Sequence, residues 1–297
     1  MTPDGTATVL DNGRLRVEVA RTGARITDVR DPEGTHWLVR TDRHEPDLEE
    51  LPPDRIRFTA GTRGGWDECL PSVAATPVTA DHGDFWFRPW TRLEAGPTAA
   101  TWTCAPDGHP LRARKTVRLA PDRAAVRVDV EVHHGGGAPT PVLYSAHPLW
   151  RWPATARIGL RDGSDVRGAF GDRWTPDTSG RWPRLGGADL SRVDRTGPPE
   201  NFKVFVRWGG CATLTFDGLG REVVVRRVGG PLEWLGICVN RDAWPADGPG
   251  DPWIALEPTT APTDSVDDAV RAGTAAVLAA GETLQWSTET EIREVGG

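Results

Sequence analysis

Residues 125–132 read AVRVDVEV. Val126, Val128, Val130 and Val132 fall on one side of an extended chain and Arg127, Asp129 and Glu131 on the other, because successive strand side chains point to opposite faces. That alternation belongs to a half-buried antiparallel strand, apolar toward a core and polar toward water. It recurs along the chain. RLRVEV (14–19) sets Leu15, Val17 and Val19 against Arg14, Arg16 and Glu18, and CATLTFD (211–217) sets Ala212, Leu214 and Phe216 against Thr213, Thr215 and Asp217. Helical periodicity is confined to one short stretch, DSVDDAVRA (264–272), with Asp264 placed to cap it.

Composition agrees with an all-β chain. The 34 glycines and 26 prolines are scattered, which suits many short strands joined by turns and excludes a helical bundle. A length of 297 residues would allow two domains, but alternating strands continue from end to end, so one β-sandwich domain spanning 1–297 is expected. Residues 171–201, rich in Gly, Pro, Arg and Asp, are expected to form a long irregular loop within it, bordering a site. Net charge is −7 and the basic residues are dispersed, which excludes nucleic acid as a partner. No apolar run reaches membrane-span length, so no membrane partner is expected either. The N-terminal residues lack a secretion pattern, and Cys69, Cys104, Cys211 and Cys238 form no CxxC pair; together these predict a cytoplasmic protein with reduced thiols.

Several chemistries are excluded by motif. There is no GxSxG elbow, glycine-rich phosphate loop, HExxH or EF-hand pattern. His133 and His134 are adjacent and would point to opposite faces of a strand, a poor chelate. Ser145 and His147 share a face, but no third group completes a nucleophilic triad. Polar residues in apolar surroundings remain. YSAHPLW (144–150) holds His147, either a satisfied core histidine or a proton donor. GGWDECLP (64–71) places Asp67 and Glu68 after Trp66. DHGDFWFRPW (81–90) carries His82, Trp86 and Arg88, and WIALEPTTAPTDS (253–265) sets Glu257 directly after an apolar run. A carboxylate and an imidazole brought together can act as base and acid.

These stretches, taken in order, resemble the aldose 1-epimerase (galactose mutarotase-like) family over nearly the whole chain. VLDNGRLRVEVARTGARITDVRDPEGTHWL (9–38) is similar to its N-terminal strands, DHGDFWFRPW to its His-Gly motif and SAHPLW to its His-Pro-aromatic motif. ALEPTTAPTDSV (255–266) is similar to its Leu-Glu motif, and AAGETLQWSTE (279–289) to its closing strands. The resemblance implies a large antiparallel β-supersandwich with few short helices and a sugar site on one face. It implies that His147 protonates the ring oxygen, that Glu257 takes the proton of the anomeric hydroxyl, and that His82 holds the sugar. The substrate implied is a small-molecule sugar, and no cofactor or metal is needed.

Departures from the pattern bear on the substrate. Phosphosugar members resemble HGFAR at the His-Gly motif; here Trp86 takes the arginine's place and Arg88 lies two residues further on, which points to an unphosphorylated hexose or related sugar. Asp67 and Glu68 either accept hydrogen bonds from sugar hydroxyls or pair with Arg63 or Arg88. Trp66, Trp86 and Trp234 are the tryptophans expected near the site. Lys203, at a strand start, is expected on a solvated face, with substrate contact as the alternative. Two further functions stay open: a non-catalytic carbohydrate-binding protein of the same fold, and a hexose-6-phosphate 1-epimerase.

Overall fold

The computed structural model describes residues 7–40, 48, 51–60, 64–153, 155–245 and 252–296. Strands dominate and pair antiparallel throughout, in a twelve-stranded sheet, a nine-stranded sheet and a two-stranded ribbon. The strand Ala125–His134 lies inside the nine-stranded sheet, and its four alternate valines are buried as their spacing requires. One apolar cluster fills the space between the sheets, from Val17 and Trp66 on one to Val128, Val223 and Trp286 on the other.

Five neighbouring strands of the larger sheet carry the polar residues of interest: Trp66–Cys69, Ser145–Arg151, Trp253–Thr259, Trp234–Arg241 and Glu200–Arg207, in that spatial order. These strands are covered on both faces, so alternation of burial is lost and only side-chain direction separates the faces. Ala146, Trp150, Ile254, Leu256 and Ile237 point into the inter-sheet core. Leu149, Trp253, Ala255 and Cys238 point the other way, into a second cluster with Phe58 and Trp86.

Glu68 faces the inter-sheet core, beside Ala146 in the register. Its carboxylate lies 2.9 Å from Lys115 Nζ of the nine-stranded sheet and accepts a 2.5 Å hydrogen bond from the Tyr144 hydroxyl. Lys115 also donates to the Ala24 carbonyl, and Tyr144 stacks on Trp286. Burial lifts the Glu68 carboxyl above the ordinary range against the pull of Lys115 and Tyr144. The network joins the two sheets, so Glu68 is not placed to touch a sugar, and Trp66, on the same face, packs in the core against Trp150.

Two expectations about local structure are corrected. Residues 171–201 are not one irregular loop: Ser179–Arg181, Arg184–Leu185 and Ala188–Asp189 continue the twelve-stranded sheet, and Arg192–Val193 joins the other. Their two- and three-residue lengths leave no alternation to read. The helix spans Val266–Arg271, and its cap is Ser265, whose hydroxyl accepts from the Asp268 amide; Asp264 lies before the cap and turns its carboxylate elsewhere. Among the described residues no helix is long and apolar enough to cross a membrane.

Removing one member of a buried ion pair strands the other. Lys115→Met is therefore expected to cost about 3–5 kcal/mol of stability, and Lys115→Met with Glu68→Gln to recover most of it. Urea denaturation of the two variants checks this, and equal losses would show that Glu68 is not charged in the fold.

Candidate active site

The antiparallel register that pairs Ser145 with Thr259 and Leu149 with Ala255 sets His147 opposite Glu257. Both side chains point to the outer face, and His147 Nε2 lies 3.9 Å from Glu257 Oε1. One strand further, Gly236 pairs with Glu257, and one beyond that, Lys203 pairs with Cys238. Lys203 Nζ donates at 2.6 Å to Glu257 Oε2 and at 2.6 Å to Asp264 Oδ1. Lys203 is 3% exposed, which corrects the expectation of a solvated face.

A cleft of about 200 Å³ opens over these groups. His82, His147, Asn201, Lys203, Glu257 and Asp264 supply its polar atoms, and Phe58, Phe170, Trp244 and Trp253 much of its apolar wall. Glu257 Oε1 and His147 Nδ1 are buried with no hydrogen-bond partner among the described residues. Buried polar atoms in folded proteins are nearly always satisfied, so such atoms in a cleft mark places where a ligand's polar groups belong. No group of three or more His, Cys, Asp or Glu side chains among the described residues is arranged to hold a metal ion.

His82 arrives from a turn. Its φ is +64°, a left-handed conformation uncommon outside glycine, and the following Gly83 has φ +90°. A Cβ on Gly83 would sit 2.1 Å from the Leu70 carbonyl oxygen, so the turn is pressed against the chain and only glycine fits. His82 is then held on three sides. Its amide donates to the Val73 carbonyl, its Nδ1 bonds Asp81 Oδ1 at 2.9 Å, and its ring stacks on Phe58 at 4.1 Å. Asp81 in turn accepts from the Phe58 amide. Burial would lift the Asp81 carboxyl, but its bonds to His82 and the Phe58 amide hold it below the usual range. The His82 and His147 rings meet edge to face at 4.9 Å.

Burial dominates the electrostatics. It pushes His147 well below the usual histidine value, and the nearby cations Lys203 and Arg25 push the same way. It pushes Glu257 up, with Asp264 adding to the rise and Lys203 opposing it. Lys203 itself is held well above its ordinary value by Asp264 and Glu257, against its own burial.

Of the ten side chains singled out in the sequence, four line the cleft: His82, His147, Lys203 and Glu257. Asp67 lies opposite His147 in the register, but its carboxylate accepts from Arg25 Nε at 2.7 Å, a partner the sequence did not suggest. Arg63, weighed as that partner, lies outside the described residues. Arg88 donates to the Asp84 carbonyl and covers Phe87. Trp86 packs edge-on against Phe58 and donates to the Asp81 carbonyl, behind the lining. Trp234 sits under the Arg167 guanidinium, away from the cleft. Trp244 and Trp253 take the places expected of Trp66, Trp86 and Trp234. Asp264 and Phe58 were missed: the first read as a helix cap, and the second lies in a 3₁₀ turn, Phe58–Ala60, with no periodic signal.

No family model matches the chain, and no curated protein matches it in sequence. Solved structures do match in three dimensions. A protein from Escherichia coli K12, given provisionally as an aldose 1-epimerase, superposes with a TM-score of 0.72 over 98% of this chain and 99% of its own, at 16% identity. A galactose mutarotase-like protein from Lactobacillus casei gives 0.67 over 97% and 100%, at 15% identity. A galactose mutarotase related enzyme from Lactobacillus acidophilus gives 0.70 over 97% and 98%, at 12% identity. The chain has the galactose mutarotase-like fold. At such identities the likeness is one of fold, and the galactose mutarotase-like scaffold does not by itself assign a reaction.

Because Gly83 is both left-handed and in contact with Leu70, Gly83→Ala is expected to lower stability by at least about 1–3 kcal/mol, the usual cost of a strained backbone position. It should also displace His82 from Phe58. An unchanged urea midpoint would show that the turn relaxes around the added methyl group.

Proposed function

We propose that the chain is an aldose 1-epimerase, interconverting the α and β anomers of an unphosphorylated hexose or related sugar. The observation that carries this reading is the pair His147 and Glu257, 3.9 Å apart in an aromatic cleft, with Glu257 Oε1 free of any hydrogen bond among the described residues. Ring opening of a pyranose needs one proton removed from O1 and one delivered to O5. Glu257 Oε1 takes the O1 proton; the C1–O5 bond breaks, its electrons pass to O5, and O5 takes the proton of His147 Nε2. The aldehyde turns about its first carbon–carbon bond, and the same two groups return both protons on reclosure.

Each shift strengthens its group in the form the exchange needs, imidazolium as acid and carboxylate as base, while lowering the share of that form near neutral pH. A histidinium whose proton is loosened by burial is a stronger acid than free imidazolium, and a carboxylate pushed upward is a stronger base than an exposed one. The rings of Phe58, Trp244 and Trp253 offer apolar faces for the C–H side of a sugar, and His82, oriented by Asp81, offers its Nε2 to a hydroxyl.

Phosphosugars are disfavoured by the lining. Among the described residues no arginine lines the cleft: Arg173 pairs with Glu200, Arg181 with Asp165, and Arg88 with the backbone. The single lysine there is already bound to two carboxylates. That same pairing favours the second reading, a sugar-binding protein without turnover, since a carboxylate tied to a lysine is a weaker base.

The two readings part on Glu257. General-base catalysis supplies about 10²–10⁴-fold, so Glu257→Gln is expected to lose at least roughly a hundredfold in anomerisation rate while still binding sugar. His147→Asn should do likewise, and the double variant should lose far less than the product, because acid and base act in one step. Polarimetry on freshly dissolved α-sugar reads the rate against the spontaneous one. Wild-type protein that never exceeds the spontaneous rate, on any sugar it binds, would leave the binding protein.

His82 should act on affinity. His82→Asn suits the left-handed backbone, since asparagine tolerates positive φ better than most residues. It is expected to raise the Michaelis constant while retaining turnover at saturating sugar. A loss of turnover equal to that of His147→Asn, at unchanged affinity, would instead make His82 a proton-transfer group.

A further inference from the structure

Lysine occurs twice among the chain's 35 basic side chains, at Lys115 and Lys203, and both are buried against a glutamate. Lys115 ties the sheets together. Lys203 does something different, because its glutamate faces a cleft. We propose that Lys203, anchored by Asp264, is a positioning residue that holds the Glu257 carboxylate charged with Oε1 turned to His147. The proposal rests on the acid–base reading of this site and names a residue that governs it.

Three features support it. Lys203 Nζ engages Oε2 alone, which leaves Oε1 as the oxygen facing His147. Asp264 is fixed in place, since its backbone carbonyl accepts from the amides of Val73 and Ala74, at 2.9 and 2.7 Å, and from the Ser72 hydroxyl. The path from Lys203 to Glu257 crosses Gly236, where a Cβ would lie 3.1 Å from Lys203 Cε and 3.2 Å from Glu257 Oε2 and would press both side chains aside by a few tenths of an ångström.

The division of charge matters as much as the contact. A buried carboxylate without a cation takes up a proton and ceases to be a base. A lysine given wholly to Glu257 would quench its basicity. By sharing the ammonium, Asp264 leaves Glu257 ionised yet still basic. The other titratable groups facing Glu257 are His147, His82 and the buried thiols of Cys69 and Cys238.

The two neighbours should therefore move Glu257 in opposite directions. In Lys203→Met the carboxyl loses its cation, so the acid limb of the rate profile moves to higher pH, by about 1–3 units for a close opposite charge. In Asp264→Asn the lysine acts on Glu257 alone, so the limb moves to lower pH and the maximal rate falls. Polarimetric pH–rate profiles of wild type and both variants test this. Infrared difference spectra supply a readout that needs no turnover: the protonated carboxyl band, assigned by its loss in Glu257→Gln, should titrate with the same opposed shifts. Shifts in one common direction, or none, in the infrared titration would overturn the proposal. An inactive wild type with opposed infrared shifts would instead overturn the catalytic reading alone. Asp264 is partly exposed, so Asp264→Asn keeps the test decisive if Lys203→Met does not fold.

Discussion

The register between the strands Ser145–Arg151 and Trp253–Thr259 is the constraint on which the site depends. Side chains in a strand alternate with a period of two, so a slip of one residue would send His147 and Glu257 into the inter-sheet core and bring Trp150 and Leu256 out. The apolar residues forbid that slip. Ala146, Trp150, Ile254 and Leu256 are buried between the sheets, and exposing them to seat two polar groups in their place would be prohibitive. The pairing of His147 with Glu257 is thus enforced by the hydrophobic residues that alternate with it.

Burying ionisable groups on both faces of one sheet requires local neutralisation on each. Toward the core, Glu68 is met by the Lys115 ammonium and the Tyr144 hydroxyl. Toward the cleft, Glu257, His147 and Lys203 are nearly as buried, but their polar atoms line an open space of about 200 Å³ rather than packed side chains. One network is closed within the core and the other borders a cleft. Both use lysine where the surface uses arginine, in keeping with a compact point charge at the end of a slender stem.

The fold was legible because half-buried strands display their faces. RLRVEV and AVRVDVEV could be read by alternation, and His82, His147 and Glu257 could be placed by the motifs around them. The strands that carry the site were harder, since WIALEPT is buried on both faces and offers no alternation. Adjacent residues Asp67 and Glu68 looked alike in sequence, but pleating sends one toward Arg25 beneath the site and the other into the core. Lys203 read as a surface residue because its partners lie 54 and 61 positions away. Phe58, Trp244 and Asp264 belong to turns and loops whose positions follow from tertiary contacts alone. Asp264 fits a capping pattern, but Ser265 one residue later satisfies the helix and releases the aspartate for the cleft.

A sheet of twelve strands must end somewhere, and an open edge invites another chain to pair with it. Here the sheet runs out through Ser179–Arg181, Arg184–Leu185 and Ala188–Asp189, each of two or three residues with a charged side chain. Strands so short offer few free backbone groups in a row, and their charges would be desolvated by a neighbour laid alongside. The arginine-rich segment that reads as mere irregularity in the sequence therefore acts as a stop, guarding a large open sheet against edge-to-edge aggregation.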